Sequence, residues 1–217
     1  MNLINYLKGQ YKMKKILIYG DSNTWGDNFI TGMRIPYEKQ WANILQNMLG
    51  NDYKIIQEGL PGRVAGNIEL ENKFKNGKDS FISIYKSAAP IDILIIALGT
   101  NDLQIKYNRN SNDIIEDLLW YESILKEMFN GDDKNKYFNN SFPKVIYILP
   151  SNIDYKDRAN IIFNLDSENK RKEIINYFNN NKIININIDN MQLVDGIHFN
   201  YDDHIKMANE VYNEIKK

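Results

Sequence analysis

Short apolar runs alternate with amphipathic segments along most of the chain, and this alternation limits the fold more than any other feature. The runs 16–19, 91–98 and 145–149 are apolar apart from Asp92, as expected of parallel strands that helices cover on both faces. We predict strands at 16–19, 53–56, 91–98, 145–149 and 183–188, and helices near 37–49, 79–88, 113–129, 167–179 and 201–215.

This order of elements predicts an α/β fold, a three-layer α/β/α sandwich on a five-stranded parallel sheet in the flavodoxin-like order 2-1-3-4-5. The last strand alternates Ile with Asn, so we place it at an edge. Asn200 and Asp203 form a plausible N-cap pair for the last helix. The polar stretches 67–78 and 130–141 are expected to be surface loops.

Composition limits the partners and the compartment. At 217 residues, we expect one domain over 13–217, preceded by a mobile arm over 1–12 or by an upstream start before Met13. The net charge of -1 gives no field to attract nucleic acid, and no apolar run is long enough for a membrane span. The absence of Cys fits a reducing compartment, so we predict a cytoplasmic protein.

Ser22 is the candidate nucleophile. It follows the first apolar strand and lies between Gly20 and Gly26, where the chain must turn sharply and the side chain can project beyond the sheet. We assign Asp21 to positioning this turn rather than to proton transfer. The alternative is an ordinary turn in which Ser22 is only a helix cap.

A serine hydroxyl needs a general base, and the chain contains only two histidines. His204 falls inside the last helix and is expected to be a surface or packing residue. His198 lies three residues after Asp195, a spacing that lets the carboxylate orient the ring and fix its tautomer. The alternative is a helix-capping loop with an incidental histidine.

Two further residues follow predicted strands and could stabilise an oxyanion. Asn101 ends the strongest strand, and its amide can donate a hydrogen bond; alternatively it caps the next segment with Asp102. Gly59 permits close approach of a ligand to the backbone, but it also suits a simple turn. Because the carboxyl ends of parallel strands share one rim, Ser22, Gly59 and Asn101 are expected to meet there.

The four segments that carry these residues resemble the conserved blocks of the SGNH (GDSL-type) hydrolases, over nearly the whole chain after Met13. The segments span 20–26, 58–60, 99–102 and 195–199. The family's Ser, Gly, Asn and His correspond here to Ser22, Gly59, Asn101 and His198. The resemblance implies a serine ester hydrolase with an acyl-serine intermediate. It also implies that Asp195 completes a triad, and that the Ser22 and Gly59 N–H groups and the Asn101 side chain form the oxyanion hole.

The blocks are most similar to the arylesterase and acetyl-esterase branch, some of whose members catalyse transesterification. One departure is Val64-Ala65 after Arg63, where that branch often has Thr. We therefore expect a small-molecule ester substrate with an acetyl-like or aryl acyl group, no cofactor and no metal. Acyl transfer and a homo-oligomer stay open. Four apolar residues are expected to form walls near the site or to be ordinary core: Trp25, Leu60, Ile197 and Phe199.

Other functional classes remain as alternatives. A lysophospholipase or thioesterase of the same family would use the same residues. A flavin-binding or phosphoacceptor domain, or a non-catalytic binding domain, would share the strand order. A phosphoacceptor domain requires clustered acids after the first strand, which Asp21 and Asp102 fit only roughly. Two histidines and no cysteine offer no ligand cluster for a metal hydrolase.

Overall fold

The computed structural model of this protein describes residues 13–66, 68 and 72–217. The strands are β1 (Lys14–Gly20), β2 (Asp27–Asn28), β3 (Met33–Arg34), β4 (Tyr53–Gly59), β5 (Ile93–Ala97), β6 (Lys144–Ile148) and β7 (Asn185–Ile186). The α-helices are α1 (Ser22–Trp25), α2 (Trp41–Leu49), α3 (Gly77–Ala88), α4 (Ser111–Asn130), α5 (Lys134–Tyr137), α6 (Leu165–Asn180) and α7 (Tyr201–Lys216). Short 3-10 helices span Tyr37–Lys39, Gly50–Asp52, Lys73–Lys75, Asn101–Leu103 and Ile105–Tyr107.

The main sheet has five parallel strands in the order β4-β1-β5-β6-β7. In chain order of these five strands, this is the predicted arrangement 2-1-3-4-5, and the predicted α/β fold class is confirmed. The last strand does lie at an edge, but it is only two residues long. Alternating Asn side chains in that segment leave little apolar surface to extend the pairing.

Apolar side chains of the central strands point alternately to the two faces of the sheet, and each face is buried. On β1, Leu17 and Tyr19 enter one core cluster, whereas Ile16 and Ile18 enter the other. Residues of α3, α4 and α6 cover the first face, and residues of α2 and α7 cover the second. This two-sided burial is the physical reason why these strands are apolar along their buried length.

Three motif segments leave the sheet at the same level. Gly20, at the end of β1, is the register partner of Gly59 on β4 and of Ala97 on β5. The chain beyond each of these residues carries Ser22, Leu60 and Asn101, respectively. The register therefore brings the polar ends of three strands to one rim.

Some local elements differ from the sequence prediction. The antiparallel hairpin β2–β3 was not predicted, and α5 lies inside the stretch 130–141 expected to be a loop. Helix α3 begins at Gly77 because the Asn76 side chain accepts a hydrogen bond from the Lys78 N–H, 3.2 Å away. Residues 1–12, predicted to be an arm, lie outside the described residues. Within the described part of the chain, no helix is both long and apolar enough to cross a bilayer.

Candidate active site

Ser22 is the first residue of α1 and lies in a turn that depends on its neighbours. Asp21 caps the helix, since its carboxylate accepts a hydrogen bond from the Asn23 N–H at 3.0 Å. A Cβ at Gly20 would lie 2.1 Å from Oγ1 of Thr24, so only glycine allows the strand to turn this closely into the helix. The backbone thus presents Ser22 at the carboxyl end of the central strand.

His198 and Asp195 form a tight pair in the loop that precedes α7. The ring Nδ1 lies 2.7 Å from Oδ2 of Asp195, while Oδ1 accepts the backbone N–H groups of Ile197 and His198 at 3.1 and 2.8 Å. A carboxylate can only accept hydrogen bonds, so Nδ1 carries the ring proton in the neutral state. Nε2 is then free to accept one.

The candidate nucleophile and the candidate base meet across 176 positions of sequence. His198 Nε2 lies 3.1 Å from Ser22 Oγ, and with Nδ1 protonated the hydroxyl donates to Nε2. Asn23 fixes this approach: its Nδ2 donates to the Ile197 carbonyl at 3.2 Å, and its Oδ1 accepts the Phe199 N–H at 3.0 Å. The residue after the candidate nucleophile therefore holds the backbone on both sides of the candidate base.

The electrostatics of this pair suit a base working near neutral pH. Burial lowers the pKa of His198. The hydrogen bond and charge of Asp195 outweigh this effect of burial, with a contribution from the charges of Asp27 and Asp21, and the net result is a pKa above the ordinary value. Burial raises the pKa of Asp195, yet the hydrogen bonds from His198 and the backbone bring it down to about 2. Asp195 is therefore ionised wherever His198 titrates.

Gly59 and Asn101 lie on the other side of Ser22. A Cβ on Gly59 would lie 2.3 Å from the backbone nitrogen of Trp25, so a glycine is needed for α1 to pack against the end of β4. The Asn101 Nδ2 donates to the Arg63 carbonyl at 3.0 Å, and its Oδ1 accepts from Gln104 Nε2 at 3.0 Å. Because an amide has two N–H bonds, one donor of Asn101 is left for a ligand.

Arg63 contacts the ends of the two strands that lead to Ser22 and Leu60. Its guanidinium stacks on the Tyr19 ring at 4.0 Å and donates to the carbonyl oxygens of Gly20 at 2.9 Å and Glu58 at 2.6 Å. These contacts join the ends of β1 and β4. The same residue supplies the carbonyl that orients Asn101, so its backbone and side chain both act on this side of the site.

Two side chains hydrogen-bond to the backbone of the segment just before Asp195. Asp203 accepts the backbone N–H of Leu193 at 2.9 Å, and Arg158 donates to the carbonyl oxygens of Leu193 and Val194 at 2.6 and 3.2 Å. Leu193 has a φ of 56°, a backbone conformation that β-carbon-bearing residues seldom adopt. These contacts hold a strained turn next to the candidate orienting carboxylate.

Several of these positioning residues were missed from the sequence. Asn23 and Gln104 are short-range neighbours of motif residues, and Arg158 belongs to a loop with no motif at all. Asp203 was predicted only as a capping partner of Asn200, and the capping box is present. A polar side chain directly beside a candidate nucleophile was the one signal that could have singled out Asn23.

His204 is a packing residue, one of the two roles the sequence left open. Its side chain is 1% exposed, and Nδ1 accepts the Trp41 backbone N–H at 3.2 Å. Burial lowers the pKa of His204 to about 4, so the ring is neutral near pH 7. Phe199, expected as an apolar wall or core, is buried and packs edge-on against this ring at 5.6 Å.

The two acids that a phosphoacceptor domain would need do not form a paired rim site. The Asp102 carboxylate is buried and accepts the Ala65 N–H at 2.8 Å and an Arg109 N–H at 2.7 Å. Asp21 caps α1, and burial raises its pKa to about 6. Across 13–66, 68 and 72–217, no group of three or more His, Cys, Asp or Glu residues is arranged to hold a metal ion.

An apolar cleft of about 370 Å³ lies beside the pair Asp195 and His198. Phe29 and Ile30 of the β2–β3 hairpin line one part of it, and Ile162 and Ile197 line another. The Phe29 ring also stacks against His198, with ring centroids 6.3 Å apart. Among the side chains predicted to be apolar walls, Ile197 lines this cleft.

Comparisons with known proteins show similarity to one family in sequence and to several solved structures in fold. The family model for GDSL-like Lipase/Acylhydrolase matches residues 16–211. A carbohydrate acetylesterase from Sinorhizobium meliloti has 25% identity and a TM-score of 0.80 over 94% of this chain and 98% of that one. The M. smegmatis aryl esterase has 24% identity and a TM-score of 0.79 over 94% and 98% of the two chains, a likeness that shows the fold alone.

The sequence has no significant match among curated proteins. The family match nevertheless covers nearly all of the sequence, including every segment that contributes to the site. The chain therefore belongs to the GDSL-like lipase/acylhydrolase family, of the SGNH type, and is a serine ester hydrolase.

Proposed function

We propose that the protein cleaves small acetyl-like or aryl esters through an acyl-serine intermediate, with Ser22 as nucleophile, His198 as general base and acid, and Asp195 as the carboxylate that orients the ring. The observation that carries the proposal is the continuous chain of contacts from Ser22 Oγ to His198 Nε2 at 3.1 Å and from Nδ1 to Asp195 at 2.7 Å. A serine, a histidine base and an orienting carboxylate in this order form a catalytic triad for acyl transfer.

Acylation follows from the tautomer that Asp195 imposes. His198 Nε2 takes the Ser22 proton while Oγ attacks the ester carbonyl, and the carbonyl electrons move to its oxygen. The C–O bond to the alcohol then breaks, and the imidazolium gives its proton to the leaving oxygen. Because Asp195 stays ionised, it stabilises the positive ring while the tetrahedral intermediate exists.

We assign the oxyanion site to the Ser22 and Gly59 N–H groups and the remaining Asn101 amide proton. The Asn101 amide is held at both ends, by Arg63 and Gln104, so it needs little reorganisation when charge develops. The close packing of Gly59 on α1 brings its backbone next to the nucleophile turn. In enzymes of this chemistry, losing one such donor typically costs about 3 kcal/mol of transition-state stabilisation.

The apolar cleft supports a small acyl or aryl substrate. Its volume of about 370 Å³ lies near the lower end of the range of ligand sites, roughly 300–1,000 Å³. Phe29 provides a flat aromatic surface next to His198. Within the same family, a lysophospholipase or thioesterase is the second candidate, since Ile30 and Ile162 are exposed apolar side chains that a longer acyl chain could cover.

Water completes the reaction as the second nucleophile, and an alcohol would give acyl transfer instead. A homo-oligomer stays open, because relatives in this branch can assemble. The cytoplasmic location and the lack of a nucleic-acid partner remain predictions that rest on composition and charge. The Cys-free sequence and the net charge of -1 support them.

Hydrolysis of p-nitrophenyl acetate by Ser22→Ala tests the proposal. We expect kcat to fall by about 10⁴-fold or more, because the nucleophile is lost while the oxyanion donors remain. Ser83→Ala is the matched control, since Ser83 is exposed on α3 and donates only to the Ser80 carbonyl. Wild-type turnover by Ser22→Ala would refute the assignment. Esters of two to twelve carbons then separate the acetyl-like from the longer-chain candidates.

A further inference from the structure

A second carboxylate faces the base from the β2–β3 hairpin. Asp27 Oδ2 lies 3.9 Å from His198 Nε2, the nitrogen that also contacts Ser22. Asp195 therefore holds one ring nitrogen and Asp27 lies near the other. Asp27 belongs to none of the four sequence segments that the family resemblance rests on.

The Asp27 side chain is 22% exposed, and no described residue donates a hydrogen bond to its carboxylate. Its cross-strand partner is Arg34, a cation. Arg34 instead donates to the Trp25 carbonyl at 2.6 Å and to Gln40 Oε1 at 3.0 Å. The hairpin thus directs its cation away from the site and keeps an acceptor beside Nε2.

The separation of 3.9 Å has a chemical meaning. It is too long for a direct hydrogen bond, which needs about 3 Å. Two acceptors that share the two protons of one water molecule lie about 4 Å apart, given hydrogen bonds of about 2.8 Å each. Nε2 and Asp27 therefore have the spacing of a two-point water site at the base.

We propose that Asp27 binds the second proton of the water that attacks the acyl-enzyme, and so favours hydrolysis over acyl transfer to alcohols. This inference rests on the proposed function of Ser22 and His198. Water can donate one proton to Nε2 and the other to Asp27. A simple alcohol has only one such proton, and it leaves the Asp27 carboxylate facing an alkyl group.

In the step itself, the water oxygen attacks the acyl carbon while one of its protons passes to His198 Nε2. The carbonyl electrons move to the oxyanion, and Asp27 keeps its hydrogen bond to the remaining O–H. When the intermediate collapses, the bond from the acyl carbon to Ser22 Oγ breaks. His198 returns its proton to Oγ, and the product leaves as a carboxylic acid that then ionises.

The test is the partition of one acyl-enzyme between two acceptors. The test supplies p-nitrophenyl acetate and a fixed concentration of methanol to wild type, Asp27→Ala and Asp27→Asn. The ratio of acetate to methyl acetate is then measured, and the reaction without enzyme is subtracted. Both products come from the same intermediate, so slower acylation or partial unfolding does not change their ratio. Asp52→Ala, an exposed acid next to the amino end of β4, is the matched control.

We expect Asp27→Ala to lower the acetate to methyl acetate ratio by about tenfold, the effect of losing one hydrogen bond to a charged group. Asp27→Asn keeps one acceptor oxygen and is expected to lie between Ala and wild type. Ratios within twofold of wild type in both variants would overturn the inference. If wild type shows no burst of p-nitrophenol and Ser22→Ala is equally active, the proposed function fails instead.

A charge effect alone gives a different result. Asp195, Asp27 and Asp21 are the carboxylates that face His198, and removing one of them lowers the pKa of the ring. A mere loss of charge would shift the pH dependence of acylation and leave the product ratio unchanged. That outcome counts against Asp27 as a water ligand.

Discussion

The two histidines lie six positions apart, and their surroundings shift the pKa values of the two rings in opposite directions. Both rings are largely buried, and burial lowers the pKa of each. His198 has Asp195 at 2.7 Å, which reverses the effect and raises its pKa. His204 Nδ1 accepts a backbone N–H instead, and burial outweighs the charge of Asp203, so the pKa of His204 falls to about 4.

The difference lies in the elements that carry the rings. His198 belongs to a loop whose backbone folds back on Asp195, and this loop can present both ring nitrogens to other groups. His204 belongs to the buried face of α7, where it packs under Trp41 and Phe199. A partner carboxylate, rather than burial, decides which histidine can act as a base at neutral pH.

The largest effect is expected at His198. His198→Ala should reduce kcat for p-nitrophenyl acetate by about 10⁴-fold or more, because the variant lacks the ring nitrogen that contacts the Ser22 hydroxyl. His204→Asn, which keeps an acceptor near Nδ1, should lose less than about tenfold in kcat under the same conditions. Equal losses of kcat in the two variants would contradict the contrast between the two histidines, since they would mean that both rings affect activity by stabilising the fold.

The second effect is on the pH dependence of stability, to which buried His204 contributes. Its pKa is depressed in the folded state, so its contribution is complete above the unfolded value of about 6.5 and is lost as the pH falls toward 4. Between pH 7.5 and 4.5 this loss is about 2 to 3 kcal/mol for wild type. Urea unfolding at the two pH values should show a fall smaller by that amount in His204→Asn. An identical fall in both proteins would show that the ring does not stay neutral when buried.

The smallest expected effect is the position of the acid limb of the pH–rate profile. His198 must be neutral to accept a proton, and its pKa is raised in the folded protein, so kcat/KM should decline below a pH somewhat above 6.5. The Asp195 pKa of about 2 keeps that carboxylate ionised throughout this range. A limb well below pH 6 would contradict the contrast between the two histidines.

The sequence predicted the sheet because its central strands are apolar along their buried length and alternate with amphipathic helices, a pattern typical of a doubly wound parallel sheet. It did not predict the hairpin β2–β3, since two-residue strands with exposed Met33 and Arg34 leave no periodic signal. Asp27 could not be linked to His198 for the same reason. Its position depends on the turn of that hairpin rather than on any pattern in the chain.

The meeting of Ser22 and His198 was predictable from strand order, since both segments leave the same edge of a parallel sheet. The contacts that bring Ser22 and His198 within hydrogen-bonding distance were not predictable. Asn23 reaches across 174 positions to the Ile197 carbonyl, and Arg158 reaches across 35 to Leu193. Long-range contacts from polar side chains have no local sequence period, so they become visible only in the folded chain.

Covalent trapping tests the central claim most directly. Wild-type protein is treated with a fluorophosphonate, and the modified residue is located by mass spectrometry in the tryptic peptide 16–34, which contains Ser22, Thr24 and Thr31. We expect one adduct on Ser22, formed far more slowly in His198→Ala and at a nearly unchanged rate in His204→Asn. An adduct on another side chain, or equal labelling of Ser22→Ala, would contradict the account.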